Sequence, residues 1–258
     1  MFKILAYGFP ALPLASLFFS IYVLLGEFYF ENYGLSLYVI GLIFIIIRLF
    51  DAFSDPIMGY ISDNFPLRFG KRKPWVLMGG TIFIVSAWML FVPLYQSVEV
   101  QYFFFWLLIS AIGWTVAYAP YYAMGAELST DYLERSKVTF CRELFTILGI
   151  IIASLLYSIS YDFENKIIKT GISSELGLFQ ICIFSSLFFF LAMIFFLLSN
   201  RITKENSNIK TNNFHIFEII NSLKKQDLMS KLLLSHFING LANGLPPALF
   251  VFFVNSVL

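Results

Sequence analysis

The chain has 258 residues, 59% hydrophobic and only 13% charged, with a formal net charge of +1 and a mean hydropathy of +0.79. A soluble domain carries about 25% charged residues, so this chain has too little polar surface to be one. Its few basic residues are scattered over short loops, which leaves no electrostatic footprint for nucleic acid.

The apolar residues fall into blocks long enough to cross a bilayer, which takes ~20 helical residues. Seven spans are expected, at 5–30, 37–62, 75–95, 101–127, 140–160, 177–199 and 232–256. Backbone in lipid must satisfy its own hydrogen bonds, and no ten-residue alternation suggests a barrel, so the fold class is all-α: a polytopic membrane helix bundle.

The first span holds Pro10 and Pro13. It is too long for a signal peptide and runs into a second span without a cleavage site. The second contains "IIIRLFDAFSDPIMG". Arg48, Asp51 and Asp55 are spaced three and four apart, so a helix projects all three to one side. Asp51 lies roughly 20 Å along the span at ~1.5 Å per residue. A charged group at that depth costs at least ~2.5–3.5 kcal/mol, and intramembrane acids are functional by default. Two carboxylates on adjacent turns, with the Ser54 hydroxyl, call for a compensating cation or proton: Na⁺, Li⁺ or H⁺. A purely structural triad, with Arg48 neutralising one acid, leaves the second acid unexplained.

The fourth span carries Pro120 and Tyr118, Tyr121 and Tyr122, which can stack on a sugar ring or another amphipathic solute. Proline recurs in the first, fourth and seventh spans (Pro246, Pro247), as expected of bent helices along a transport path. Two three-helix repeats follow, with the first and fourth spans facing a common cavity. Cys141 and Cys182 lie in apolar segments and read as buried thiols. The polar stretch 201–231 opens as a flexible linker and continues into a short amphipathic segment, "FHIFEIINSLKK". It divides a six-helix bundle, 1–200, from a seventh helix, 232–258, and it is read as cytoplasmic. Lys and Arg crowd the 63–74, 128–142 and 201–231 loops and thin out between them, which puts the N-terminus in the cytoplasm.

The blocks "YGFPALPLASLFF", "RLFDAFSDPIMGYISD", "RFGKRKPWVLMG" and "PYYAMGAELSTDYLERSKVTFCRELF", with "FINGLANGLPPALFVFFVN" further on, resemble the glycoside–pentoside–hexuronide:cation symporters of the major facilitator superfamily. The resemblance implies a cation site at Asp51, Ser54, Asp55 and Thr115, with Asp51 and Asp55 as metal ligands where the ion is Na⁺. It implies substrate contacts at Tyr118, Tyr122 and Arg142. It also implies a gating loop built from Gly59, Asp63, Arg68, Gly70, Lys71 and Arg72, with the glycines allowing close helix approach. Glu127, Asp131, Glu134 and Arg135 read as solvated loop charges, with a similar latch as the alternative. Ala15 and Tyr118 stand where a sugar-transporting member has the carboxylates that grip sugar hydroxyls. Family members have twelve spans, so the chain is expected to be incomplete at its C-terminus.

The expected function is cation-coupled symport of a sugar-like solute by alternating access in a bacterial inner (plasma) membrane. No covalent chemistry is expected, and no cofactor beyond the coupling Na⁺ or H⁺; the partners are the small-molecule solute and membrane lipid. The alternatives are symport of a lysolipid or other amphipathic solute, and a fragment that transports nothing. An intramembrane aspartyl protease would place its acids on separate helices, whereas here both lie on one.

Overall fold

In the computed structural model, which describes residues 2–65, 72–93, 98–129, 131–167 and 175–199 together with Lys231 and Ser235, the regular elements among the described residues are all helical. They are α1 (Phe2–Gly8), α2 (Ala11–Phe19), a π-helical turn (Ser20–Leu24), α3 (Leu25–Tyr33), α4 (Leu37–Asn64), α5 (Lys73–Phe91), α6 (Val100–Glu127), α7 (Tyr132–Ile167) and α8 (Glu175–Ser199). Six helical stretches are long and apolar enough to cross a membrane: Phe2–Tyr33, Leu37–Asn64, Lys73–Phe91, Val100–Glu127, Tyr132–Ser160 and Leu176–Leu198. The protein is an integral membrane helix bundle. The chain divides into two units, Met1–Lys204 and Glu205–Leu258. The expected linker and amphipathic segment, 201–230, and the seventh span, 232–256, lie outside the described residues apart from Ser235.

Local chemistry sets the breaks. Pro10 has no N–H to donate, and the first span turns there, between α1 and α2. Gly34 ends α3 with φ +66°, a left-handed conformation that costs glycine little. Two residues later Ser36 caps α4, its hydroxyl accepting from the Val39 N–H at 3.3 Å. A Pro stands in the first turn of α5. At the start of α7, Asp131 Oδ2 accepts from the Glu134 N–H at 3.3 Å. That cap starts the fifth span at Tyr132 instead of 140, so Arg135, Lys137 and Arg142 ride on a helix and not in a loop.

The first span packs chiefly on α7 and α8, and α6 packs on α5 and α4. Hydrophobicity cannot select partners in lipid; close backbone approach at small residues can. Two of these contacts are made at glycines. A Cβ on Gly79 would stand 2.2 Å from Ala117 N, and one on Gly113 2.6 Å from Phe83 N, so α5 and α6 touch backbone to backbone. A Cβ on Gly149 would stand 2.2 Å from Leu12 O, which joins α7 to α2 in the same way. Polar side chains complete the joints: Ser16 and Ser185 hydroxyls meet at 2.6 Å, Trp88 Nε1 donates to Ser186 Oγ at 2.8 Å, and Tyr29 donates to Leu90 O at 2.9 Å. Tyr7 and Tyr121 stack, and each hydroxyl donates to the other's carbonyl, at 3.1 and 2.6 Å, which ties α1 to α6 beside Pro120. The least buried spans are the second and the fifth.

Candidate functional site

The three ionisable residues of α4 acquire different neighbours. Asp55 Oδ1 accepts a 2.8 Å hydrogen bond from Thr115 Oγ1 of α6. Thr115 is buried, and it is next in sequence to Val116, which the Gly79 contact meets. Its Oγ1 lies 3.3 Å from Ser54 Oγ, and Ser54 Oγ in turn donates to the Asp51 carbonyl at 3.4 Å. Asp51, Ser54, Asp55 and Thr115 are therefore neighbours.

Asp51 is the buried acid, its side chain 12% exposed. Its Oδ1 is enclosed and has no hydrogen-bonding partner among the described residues. Arg48 neutralises Asp51 only loosely: Nη1 is 3.7 Å from Oδ2, too far for a hydrogen bond. The guanidinium instead sits 4.0 Å from the centre of the Tyr22 ring. A structural Arg–Asp pair would leave no carboxylate oxygen wanting a partner. Carboxylates and hydroxyls are hard oxygen donors suited to Na⁺, Li⁺ or a proton. No group of three or more His, Cys, Asp and Glu able to hold a metal occurs among the described residues.

From this cluster runs a row of aromatic rings. Tyr22 meets Phe18 at 4.4 Å between centroids, and Phe18 meets Trp114 at 4.3 Å. Trp114 stacks on Tyr118 at 4.2 Å, and Tyr118 meets Tyr122 at 4.4 Å. Arg142 of α7 closes the row, its guanidinium carbon 3.7 Å from the Tyr122 centroid. Tyr118, Tyr122 and Arg142 are thus brought together. Phe18, Tyr22 and Trp114 belong with them, although sequence reasoning passed them over. The signal for Trp114 was legible, since Trp114, Tyr118 and Tyr122 repeat at four residues on one helical face. Arg142 also donates to Glu143 Oε1, from Nε at 3.1 Å and Nη2 at 2.5 Å. Glu143 is a second residue the sequence reading missed.

Of the expected gating residues, Arg68, Gly70 and Lys71 lie outside the described residues. Arg72 is buried and donates to Asp63 Oδ1 from Nε at 3.1 Å and Nη2 at 2.5 Å. Its Nη1 stands 2.9 Å from Glu127 Oε1, an ion pair without hydrogen-bond alignment. Arg72 thereby joins the end of α4 to the end of α6, and Glu127 is a paired helix terminus, not the solvated loop charge expected. Gly59 makes no close approach: a Cβ there would meet nothing within 4 Å.

Residues 4–258 match the family described as MFS/sugar transport protein. An uncharacterized symporter of Synechocystis is 32% identical over 135 residues, covering 48% of this chain and 24% of the relative. The inner membrane symporter YicJ of Escherichia coli is 30% identical over 131 residues, covering 50% and 28%. A lactose permease of Lactobacillus helveticus is 28% identical over 165 residues, covering 58% and 26%. The chain spans about a quarter of the length of these relatives.

Proposed function

The chain belongs to the MFS/sugar transport protein family, and from that premise we propose that it serves cation-coupled symport of a sugar-like solute. The observation that carries the reading is one helix, α6, holding both halves of the site. Thr115 faces the carboxylate of Asp55, and its neighbour Trp114 stands in the aromatic row that ends at Arg142. A cation on Asp51, Ser54, Asp55 and Thr115 fixes α4 against α6, and the row then presents a surface for the apolar face of a sugar ring. Occupancy of one half alters the cost of binding at the other, which is what coupling requires. The Arg72 link between Asp63 and Glu127 acts as a latch at the other end of the same two helices. Transport proteins of this family make and break no covalent bond.

The test is accumulation of radiolabelled lactose and methyl xyloside in proteoliposomes under an imposed Na⁺ or H⁺ gradient. At least one gradient should drive uptake several-fold above equilibrium, and an ionophore should collapse it. Uptake of neither sugar, with uptake of a lysolipid under the same gradient, transfers the reading to amphipathic solutes, which the half-exposed aromatic row also suits.

Orientation follows from the basic loops, with the N-terminus and residues 63–74 on the cytoplasmic side of a bacterial inner membrane. Single cysteines placed at Lys71 and Lys166 should then react with an impermeant thiol reagent from opposite sides. Labelling from one side overturns the orientation.

A further inference from the structure

α7 carries an acid and a base side by side at a depth where neither is expected without a task. Glu143 stands roughly 9 Å of helical rise beyond Lys137, the last exposed basic residue at the start of α7, at ~1.5 Å per residue, and Asp55 roughly 14 Å from the Asn64 end of α4; both lie inside helical stretches apolar enough to cross a membrane. The Glu143 side chain is 47% exposed, and that of Arg142 only 10%. A charged pair left half open at this depth faces water, since lipid around it would cost several kcal/mol. The two bonds from Arg142 both end on Oε1, which leaves Oε2 without a partner among the described residues. Arg142 is itself held from two sides, by Glu143 and by the Tyr122 ring 3.7 Å away.

The pair therefore forms a fixed carboxylate beside a fixed aromatic plate. We infer that Glu143 is the hydroxyl acceptor of the solute site, taking hydrogen bonds from adjacent hydroxyls of a neutral sugar ring whose apolar face lies on Tyr122 and Tyr118. The inference rests on the sugar reading above. Its chemistry is specific: a carboxylate accepts from O–H donors more strongly than any neutral group does, and an aromatic plate alone does not distinguish a sugar from another flat solute. Arg142 acts through Glu143, as a positioning residue that holds Oε1 and turns Oε2 outward. The acid that sugar hydroxyls need, missing at Ala15 and Tyr118, is supplied from a different helix.

The experiment is equilibrium binding to the whole chain in lipid nanodiscs, read by quenching of Trp114, which stacks on Tyr118. The probes are 4-nitrophenyl β-glycosides of galactose, glucose and xylose, each with its mono-deoxy analogues. In the wild type, removing a hydroxyl that Glu143 accepts should weaken binding about tenfold or more, the usual worth of a hydrogen bond to a charged group. In Glu143→Gln the parent glycoside should weaken by a similar factor, and parent and deoxy compound should then bind alike. Glu143→Asp, which keeps the carboxylate, should retain the discrimination. A Glu143→Gln chain that still discriminates parent from deoxy compound as the wild type does overturns the assignment and leaves the acid a mere partner of Arg142. A wild type that binds none of these glycosides overturns the assignment together with the sugar half of the transport reading.

Discussion

Replacing Asp51 or Asp55 by asparagine is expected to abolish cation-driven accumulation while leaving residual exchange at zero gradient. The amide keeps the shape, removes the charge and turns one acceptor oxygen into a donor. At 4 Å and an effective dielectric constant near 20, one carboxylate–cation contact is worth roughly 4 kcal/mol, so cation affinity should fall by about a hundredfold or more. The two residues should not respond alike. Asp55 already accepts a bond from Thr115, and Asp55→Asn leaves a smaller disturbance in the empty site. Asp51 has an enclosed oxygen without a partner among the described residues, so a neutral amide there removes the cost of burying a charge. Asp51→Asn should therefore fold at least as well as the wild type while binding no cation. Thr115→Val, which removes one neutral ligand, should cost less than either, about tenfold. Equal accumulation by both aspartate variants and the wild type, under Na⁺ and under H⁺, would reduce the pair to a structural role.

The largest structural effect is expected at Gly79. Alanine there puts a methyl group 2.2 Å from Ala117 N and 2.6 Å from Val116 C, atoms of a helix backbone that cannot turn aside. α5 and α6 must separate, at roughly 1–3 kcal/mol for a single inserted methyl group, and leucine should prevent folding. The damage should reach the site, because Thr115 lies on the same turns of α6. Gly79→Ala should lower both the melting temperature in detergent and the affinity for the cation. Gly41 on α4 supplies the control. Nothing lies within 4 Å of a Cβ there, so Gly41→Ala should be neutral or slightly stabilising through helix propensity. A Gly79→Ala protein as stable as the wild type would mean that the α5–α6 contact is looser than drawn.

What could be read in advance follows from period and solvent. Composition and block length suffice for six membrane-spanning helices, because lipid admits few alternatives for a single chain. Spacing alone puts Arg48, Asp51 and Asp55 on one side of α4. Which helix those side chains meet is a question of long-range pairing. That pairing depends on contacts such as Gly79 against Ala117 and Gly149 against Leu12, which no local pattern announces. For the same reason the packing of the first span on α7 and α8 was not foreseen. Glu143 escaped notice because its block had been read as starting at residue 140, so the acid stood at a helix mouth. The Asp131 cap moves the start to Tyr132 and places Glu143 in the interior of the helix. A latch at Glu127 stood only as the alternative to a solvated charge, because its partner Arg72 approaches from the connection after α4, outside the reach of any i, i+4 rule.

The direct measurement of the cation site is reaction of Asp51 and Asp55 with a hydrophobic carbodiimide, which modifies protonated carboxyl groups in apolar surroundings. The whole chain in nanodiscs is titrated with Na⁺, Li⁺ and K⁺ and then over pH, with modification read at each aspartate by peptide mass. The account predicts that Asp51 is modified in the absence of a bound cation. Na⁺ or Li⁺ should protect it saturably in the wild type but not in Asp55→Asn, and K⁺ should protect far less. For a site that takes only protons, modification of Asp51 should be indifferent to all three metals and fall as pH rises, with a midpoint displaced in Asp55→Asn. Modification of Asp51 that responds neither to the metals nor to pH, or responds identically in Asp55→Asn, would contradict a shared cation site.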